Sequence, residues 1–315
     1  MGIFLLKRGM TFLATLWATS VVVFVVLEVL PGDPALVILG VDAPDSAIHA
    51  LREQLGLNRP TWERYVDWVT GVMVGDFGTS YTYSVPVSEL ILERLQVTVP
   101  LALMSMSITV IVALALGIYA ASRHGKAGDW GVMIFSQLGI AVPGFWFGIL
   151  LILLFAVVLK WFKAGGFAGW DAGMLPALQS LLLPAIALAA FQVAVLARIT
   201  RSSVLEVARE DFVRTARAKG LSRRATLWRH VLRNALIPVI TVMGLQFANL
   251  LAGTIVIESV FSLPGIGRLI IGAISNRDLV VVSGVTLLLA AMVVLVNFVV
   301  DLLYAVIDPR VAVHD

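Results

Sequence analysis

The chain reads as an all-α integral membrane protein with six transmembrane helices and a small helical insert on the extracytoplasmic side after the first. Three observations support this. Apolar residues fill 59% of the 315 positions and charged residues only 14%, with a mean hydropathy of +0.96; a water-soluble protein of this size needs far more polar surface. Six segments, about 9–30, 98–121, 131–159, 179–200, 236–261 and 280–306, are long and apolar enough to cross a bilayer. The Lys and Arg residues gather beside alternate ends of those segments, as the positive-inside rule requires.

Lys7 and Arg8 precede the first apolar run, which resembles the start of a secretory signal. The run is too long for a signal core, however. It ends in Glu28-Val29-Leu30-Pro31-Gly32-Asp33 rather than at a small-residue cleavage site. It reads as a retained anchor, residues 1–30. Placing Lys7, Arg8, Arg123, Lys126 and the basic run 198–233 on the cytoplasmic side puts both termini inside. Lys160 and Lys163 are then the only basic residues of loop 160–178, which lies outside.

Residues 31–97, with four basic and nine acidic side chains, form the extracytoplasmic insert. Asp45 or Ser46 caps a helix ending near Gly56. Pro60 opens a second helix, with Trp62, Tyr65, Val66, Val69 and Met73 on one face. Gly75-Asp76-Phe77-Gly78-Thr79-Ser80 is a turn-rich exit. This insert reads either as a cap packed on the spans or as a docking face for an external protein. Within the remaining segment, 98–310, Pro143 is expected to break or kink the third span, and Pro184 the fourth.

Enzyme signatures are missing. Gly125-Lys126 is followed by Ala127, so there is no phosphate-binding loop, and no HExxH motif occurs. There are no cysteines, and the four histidines (His49, His124, His230, His314) are scattered, so no metal site is expected. Energy for uphill movement must come from an ion gradient or from a separate ATPase. Ionisable groups in the spans are few and lie near the ends: Glu28, Glu258 and Asp301. No carboxylate sits mid-span as a proton or sodium relay would prefer. Neutral polar residues are better placed, namely Gln137, Gln192, Gln246, Asn249 and Asn297, and such amides serve either as inter-helix hydrogen bonds or as pathway lining.

The segment Arg198–Arg233 carries ten Lys/Arg against three acids, Glu206, Glu210 and Asp211. Val204, Ala208, Phe212 and Ala216 recur every fourth residue before Gly220-Leu221-Ser222. Ala225, Trp228, Val231, Leu232 and Ala235 keep helical spacing after it. Gly220 suits a left-handed helix end and Ser222 an N-cap. Three readings are open: an ordinary positive-inside loop, an anionic-lipid surface, and a docking site for a soluble partner. Two amphipathic stripes around a glycine hinge exceed what an ordinary loop needs, and such stripes require a covering surface.

Phe212-Val213-Arg214-Thr215-Ala216-Arg217-Ala218-Lys219-Gly220-Leu221-Ser222, followed by Arg229-His230-Val231-Leu232-Arg233-Asn234-Ala235-Leu236-Ile237-Pro238, resembles the EAA loop of ABC-importer permeases. More narrowly it is similar to the dipeptide/oligopeptide/nickel branch, the DppB/OppB-like subunits. The likeness runs nearly the whole length: Leu30-Pro31-Gly32-Asp33-Pro34, Leu55-Gly56-Leu57-Asn58-Arg59-Pro60, Gly75–Ser80, Pro143-Gly144-Phe145-Trp146-Phe147-Gly148, Glu258–Gly267 and Asp308-Pro309-Arg310 follow in order. Where the wider family has Glu-Ala-Ala, this chain has Arg214-Thr215-Ala216, and the gap from Gly220 to Pro238 is longer; both departures are usual in the peptide branch. The role of the general motif's glutamate therefore does not fall on Arg214; Glu210 and Asp211 are the nearest acids.

The resemblance implies a type I ABC importer permease fold whose core, 98–310, carries a cytoplasmic coupling loop, 201–233. It implies half of a pathway for di- or oligopeptides in a bacterial cytoplasmic (inner) membrane. The partners would be a second homologous (DppC/OppC-like) permease, two ABC ATPase subunits and an extracytoplasmic substrate-binding protein. This chain would bind no cofactor, since ATP and Mg²⁺ would sit on the ATPases. Asp211, Phe212, Thr215, Ala216, Arg217, Lys219, Gly220 and Leu221 would form the ATPase-coupling site, and Gln137, Pro143, Gln246, Asn249 and Glu258 are candidates to line the pathway. Two alternatives compete: a self-sufficient channel or gradient-driven carrier, and an inert membrane anchor. Against the first stands the missing mid-span carboxylate; against the second, spans interrupted by proline. Directly liganded nickel is disfavoured because the spans hold no His or Cys.

Overall fold

The computed structural model describes residues 2–29, 34–40, 43–54 and 56–307. Leu30–Asp33, Leu55, Asp308–Arg310 and His314 lie outside the described residues, as do the side chains of Glu28 and Asp301. In chain order the helices are α1 (Gly2–Val29), α2 (Pro34–Leu39), α3 (Asp45–Gln54), α4 (Thr61–Met73), α5 (Val87–Ser122), α6 (Ala127–Ala141), α7 (Gly144–Leu151), α8 (Met174–Val207), α9 (Asp211–Ala218), α10 (Arg223–Thr226), α11 (Leu232–Val260), α12 (Ile266–Ser275) and α13 (Leu279–Ile307). The one β-type pairing among the described residues is the isolated bridge Thr79–Pro86.

Among the described residues, five stretches are long and apolar enough to cross a membrane: Leu6–Val26, Val87–Ser122, Met174–Val207, Arg223–Val260 and Leu279–Val300. A sixth exists only as a pair. Ala127–Ala141 and Gly144–Val158 meet at a 102° bend, so the expected break at Pro143 is a sharp corner. Pro143 ends one helix because it lacks an N–H, and its fixed φ (−61°) opens the next at Gly144. Pro184 behaves otherwise. It is buried inside the continuous helix α8, so the expected break does not occur there. Packing from neighbouring helices holds α8 together across the missing hydrogen bond.

The chain forms two compact units. One comprises Leu6–Val97 and Pro264–Val294. There Val87, Leu90 and Ile91 pack with Ile266, Leu269, Ala273, Val281 and Val285. Asp278, wholly buried, accepts hydrogen bonds from the Ser80 hydroxyl (2.6 Å) and the Thr82 N–H (3.0 Å). It also accepts one from the Val281 N–H and so caps the start of α13. Burial, and then the Asp278 charge, push the Tyr81 hydroxyl above its usual pKa. α4 lies against α1: the Tyr65 ring meets Phe24 edge-on at 5.3 Å, and its hydroxyl is 2.8 Å from that of Ser20. Pro60 precedes α4 as its cap residue instead of occupying the first turn. The stripe read on this helix is only partly covered, since Trp62, Val66 and Met73 are exposed.

The other unit is built chiefly from Thr98–Leu263. Its centre is α8, 67% of whose most apolar window is buried, against 33% or less in every other long helix. Small residues allow the close approach. A Cβ on Gly117 of α5 would stand 2.6 Å from Thr200 Cβ and 2.7 Å from the Ala197 carbonyl. One on Gly139 of α6 would stand 2.9 Å from Ala194 Cβ. In lipid no hydrophobic force drives helices together, so dense contact of this kind supplies the association. Gly117→Leu is expected to cost about 2 kcal/mol by overpacking. It should appear as a lower melting temperature of the detergent-solubilised protein; an unchanged value would mean that α5 and α8 do not touch.

Candidate functional site: the coupling loop and a membrane cleft

The basic run folds as a short helix set on the ends of longer ones. α8 stops at Val207, and α9 begins at Asp211. Val213 and Ala216 are buried, and Val213 packs with Ala121, Val204, Val231, Leu232 and Ala235. Burial of Val213 contributes about 2 kcal/mol. Gly220 adopts φ +91°, the left-handed conformation read from the sequence. Leu221 N–H then donates back to the Ala216 carbonyl. Ser222 caps the next helix: its hydroxyl oxygen accepts from Ala225 N–H at 3.3 Å, and Thr226 Oγ1 donates to its carbonyl at 2.9 Å.

Two details differ from the sequence reading. The four-residue stripe through Val204, Ala208, Phe212 and Ala216 does not form one face, because the helix is interrupted at residues 208–210. The interruption rotates α9, so Val213 points inward and Phe212 is 43% exposed. After the turn, α10, a π-helical turn (Leu227–Val231) and α11 run on as one helix, Arg223–Val260. The second stretch is thus the first part of a span. The wider turn shifts the periodicity by part of a residue, which leaves Trp228 exposed while Val231, Leu232 and Ala235 are buried. The outer surface of α9 and its turn presents Asp211, Phe212, Arg214, Thr215, Arg217 and Lys219. The Arg214–Asp211 pair there (3.2 Å) is highly exposed and adds little.

Sequence reasoning missed a cluster beside this loop. Asp129, in the first turn of α6 and 3% exposed, is clasped by Arg201 of α8, whose Nη2 lies 2.8 Å from Oδ2 and whose Nε donates to Oδ1. Gly125 N–H donates to the same carboxylate at 3.0 Å. His124 Nδ1 lies 3.1 Å from Asp129 Oδ2 and 3.2 Å from Arg201 Nη2. A neutral ring can accept from the arginine there; a protonated one donates to the carboxylate. The available signal was an acid and a base at the same-side ends of neighbouring spans.

The pathway candidates disperse. Gln246 is buried and exchanges hydrogen bonds with Gln192: Gln192 Nε2 donates to the Gln246 carbonyl (3.1 Å), and Gln246 Nε2 to the Gln192 carbonyl (3.3 Å). Gln192 also lines a cleft of about 260 Å³, together with Gly144, Phe145, Phe191, Asn249 and Gly253. The cleft lies at the Pro143 corner, with Pro143 itself exposed beside it. Gln137 is exposed on α6 and does not line the cleft. Glu258 is wholly buried and accepts from Thr98 Oγ1 at 2.6 Å, an inter-helix tie next to, but not part of, the cleft lining.

These helices define a multi-pass α-helical membrane protein with a structured loop joining two of its spans. The chain belongs to the family of binding-protein-dependent transport system inner membrane components, whose model matches residues 113–313. The N-terminal model of the same class of membrane component matches 1–102. Members are transport permease subunits and not enzymes themselves. Relatives include a peptide transport system permease protein of Brucella suis biovar 1, 43% identical over 307 residues and 98% of each chain. Another is a di/tripeptide transport system permease protein of Pseudomonas aeruginosa, 40% identical over 329 aligned residues and 98% of each chain. The fold is similar to that of the MetNI methionine ABC transporter in inward-facing conformations, with a TM-score of 0.56 at 17% identity over 70% of this chain and 96% of that one.

Removing one partner of the Asp129–Arg201 pair leaves a buried charge. Arg201→Met is expected to cost about 3 kcal/mol, and Arg201→Met/Asp129→Leu distinctly less. Thermal unfolding in detergent reads the difference; a double variant no more stable than the single one would remove the pair from the fold's support.

Proposed function

We propose that this chain is the permease subunit of an ATP-driven importer of di- or oligopeptides, forming half of the translocation pathway. The observation that carries the reading is α9. It is a short helix anchored by Val213 on the ends of α5, α8 and α11, and it holds a ready-made polar surface outward. That is what a handle for a soluble motor requires. The names of full-length relatives support peptide as the cargo.

In this reading the chain crosses the membrane six times, the bent pair α6–α7 counting as one crossing. Both termini lie in the cytoplasm of a bacterium, and α2–α4 form an extracytoplasmic insert. Two ATPase subunits, which bind the ATP and Mg²⁺, engage Asp211, Phe212, Thr215, Arg217, Lys219 and Leu221. Ala216 and Gly220 set the shape of that surface. A second homologous permease completes the pore, and an extracytoplasmic binding protein delivers the peptide. Pro143 and Asn249 belong to the pathway wall around the α7 corner and Gln137 to its inner approach, while Gln246 and Glu258, both buried, brace that wall from behind. A nucleotide-powered push on α9 enters α8 directly through the shared apolar cluster and reaches α6 through Arg201 and Asp129.

The first test is purification of the chain with its native partners in mild detergent, followed by reconstitution in liposomes. A second permease and ATPase subunits should co-purify, and uptake of a labelled dipeptide should require ATP and the binding protein. Recovery of the chain alone, moving solute without ATP, would replace the importer with a channel or carrier. Within the assembled complex, Gly220→Asp should leave membrane insertion intact while abolishing both ATPase co-purification and uptake. No atom stands within 4 Å of the added Cβ, but φ +91° strains any side chain there, so Gly220→Ala, which carries the strain without the charge, is the control and should keep uptake. Normal uptake by Gly220→Asp would sink the docking role of the turn.

A further inference from the structure

We infer that the pocket where loop 160–178 joins the end of the α7 segment to α8 holds the headgroup of an anionic phospholipid, its phosphate taken by Lys160 and Lys163 and its acyl chains lying on the apolar helix surface beside them. The pocket has a volume of about 290 Å³, and Lys160, Trp161, Phe162, Lys163, Gln179 and Ser180 supply its polar and aromatic walls. That volume stands at the foot of the range for small-molecule sites, roughly 300–1,000 Å³, and fits a headgroup but not a whole lipid. Its level in the membrane follows from the sequence. One apolar run ends at 159 and the next resumes at 179, so the pocket's residues sit where two neighbouring spans leave the hydrocarbon. Trp161, 63% exposed, is of the residue type that favours that boundary. On the membrane side, the π-helical continuation of α7 (Ile152–Val158) leaves Leu153, Leu154, Val157 and Val158 exposed. A small hydrophilic anion has no use for that surface; an amphipathic one lays its chains on it.

The positive charge of the pocket is not balanced by the protein. No carboxylate lines it. Asp171 is the one acid of loop 160–178, and among the described residues neither Lys160 nor Lys163 has an ion-pair partner. Both side chains are exposed, and their flexible four-carbon stems let the ammonium groups close on a ligand in the pocket. Each ammonium carries three donors for the free oxygens of a phosphodiester. The turn itself does not ask for lysine at 160. Its φ of +57° suits glycine or asparagine better, so the charge and not the backbone accounts for the residue type. In the topology proposed above, the loop faces outward, where Lys and Arg are scarce; a lipid anion gives the exception a reason. The side of the membrane rests on that topology, whereas the pocket and its charge do not. The frame is held from three directions. Trp161 and Phe162 N–H groups both donate to the Phe155 carbonyl (2.9 and 3.2 Å), and their rings stand 5.8 and 6.2 Å from the Phe155 ring. Gly166 N–H donates to the Phe261 carbonyl at the end of α11 (2.8 Å), and Ala168 N–H to Ser180 Oγ of α8 (3.4 Å).

The test takes the full chain, with the partners it retains in neutral detergent, strips the bound lipid and titrates phosphatidylglycerol back under native mass spectrometry. Phosphatidylcholine and soluble glycerol 3-phosphate are the net-neutral and free-anion probes. Lys160→Gln/Lys163→Gln should bind one phosphatidylglycerol fewer per chain, that site being weakened about thirtyfold, the worth of two basic residues at a membrane surface. Lys160→Arg/Lys163→Arg should keep the site. Lipid held by the basic run 198–233 is common to all variants and cancels in the comparison. Unchanged phosphatidylglycerol binding by the glutamine variant, an equal dependence of phosphatidylcholine on the two lysines, or loss of the site with arginine would each overturn the inference. Glycerol 3-phosphate bound as tightly as the lipid, and lost with the same lysines, would make the pocket a site for free anions and overturn the lipid assignment. Should the glutamine variant not assemble, Gln179→Glu takes its place. That position is exposed and the change nearly isosteric, so the chain should fold, and the added charge should weaken the site about fivefold; no weakening overturns the inference. Transport plays no part in the readout, so a failure of the importer reading leaves the result standing.

Discussion

Everything in the larger unit depends on how closely its helices approach α8. Lipid offers helices no hydrophobic reward for meeting, so contact must come from dispersion, hydrogen bonds and fit. Many of the buried positions of α8 are correspondingly small, among them Ala185, Ala187, Ala189, Ala194 and Ala197. Glycines on α5 and α6 complete the match. The polar ties are few and are placed where the helices already touch. Arg201 holds Asp129 at one end, and Gln192 meets Gln246 further along. Each tie demands near-contact of the backbones, so the small-residue packing comes first and the hydrogen bonds specify which contact is made.

A close-packed central helix has a mechanical consequence. The cluster holding α9 contains Ala121 of α5, Val204 of α8 and Val231, Leu232 and Ala235 at the entry to α11. A displacement of α9 therefore cannot be absorbed by one helix alone; it moves the ends of three. The ion pair adds α6, whose far end is the Pro143 corner. Packed interiors transmit strain because they have no slack, and the 102° corner is where a rigid α6 can turn relative to α7 without breaking further backbone bonds.

Much of this was legible in the sequence, for definite reasons. Apolar runs near bilayer length announce spans, and Gly220 followed by Ser222 announces a helix stop and a helix start, since each residue type solves a local backbone problem. Pro143 and Pro184 show the limit of local reasoning. The same missing N–H yields a corner at one site and an uninterrupted helix at the other, because tertiary packing decides whether the helix carries on. Phase was the second limit. A three-residue interruption and a π-turn, neither marked by proline, rotate Phe212 and Trp228 outward, so a period counted across them fails. Pairing was the third. Asp129 and Arg201 are 72 positions apart, and no periodicity connects them.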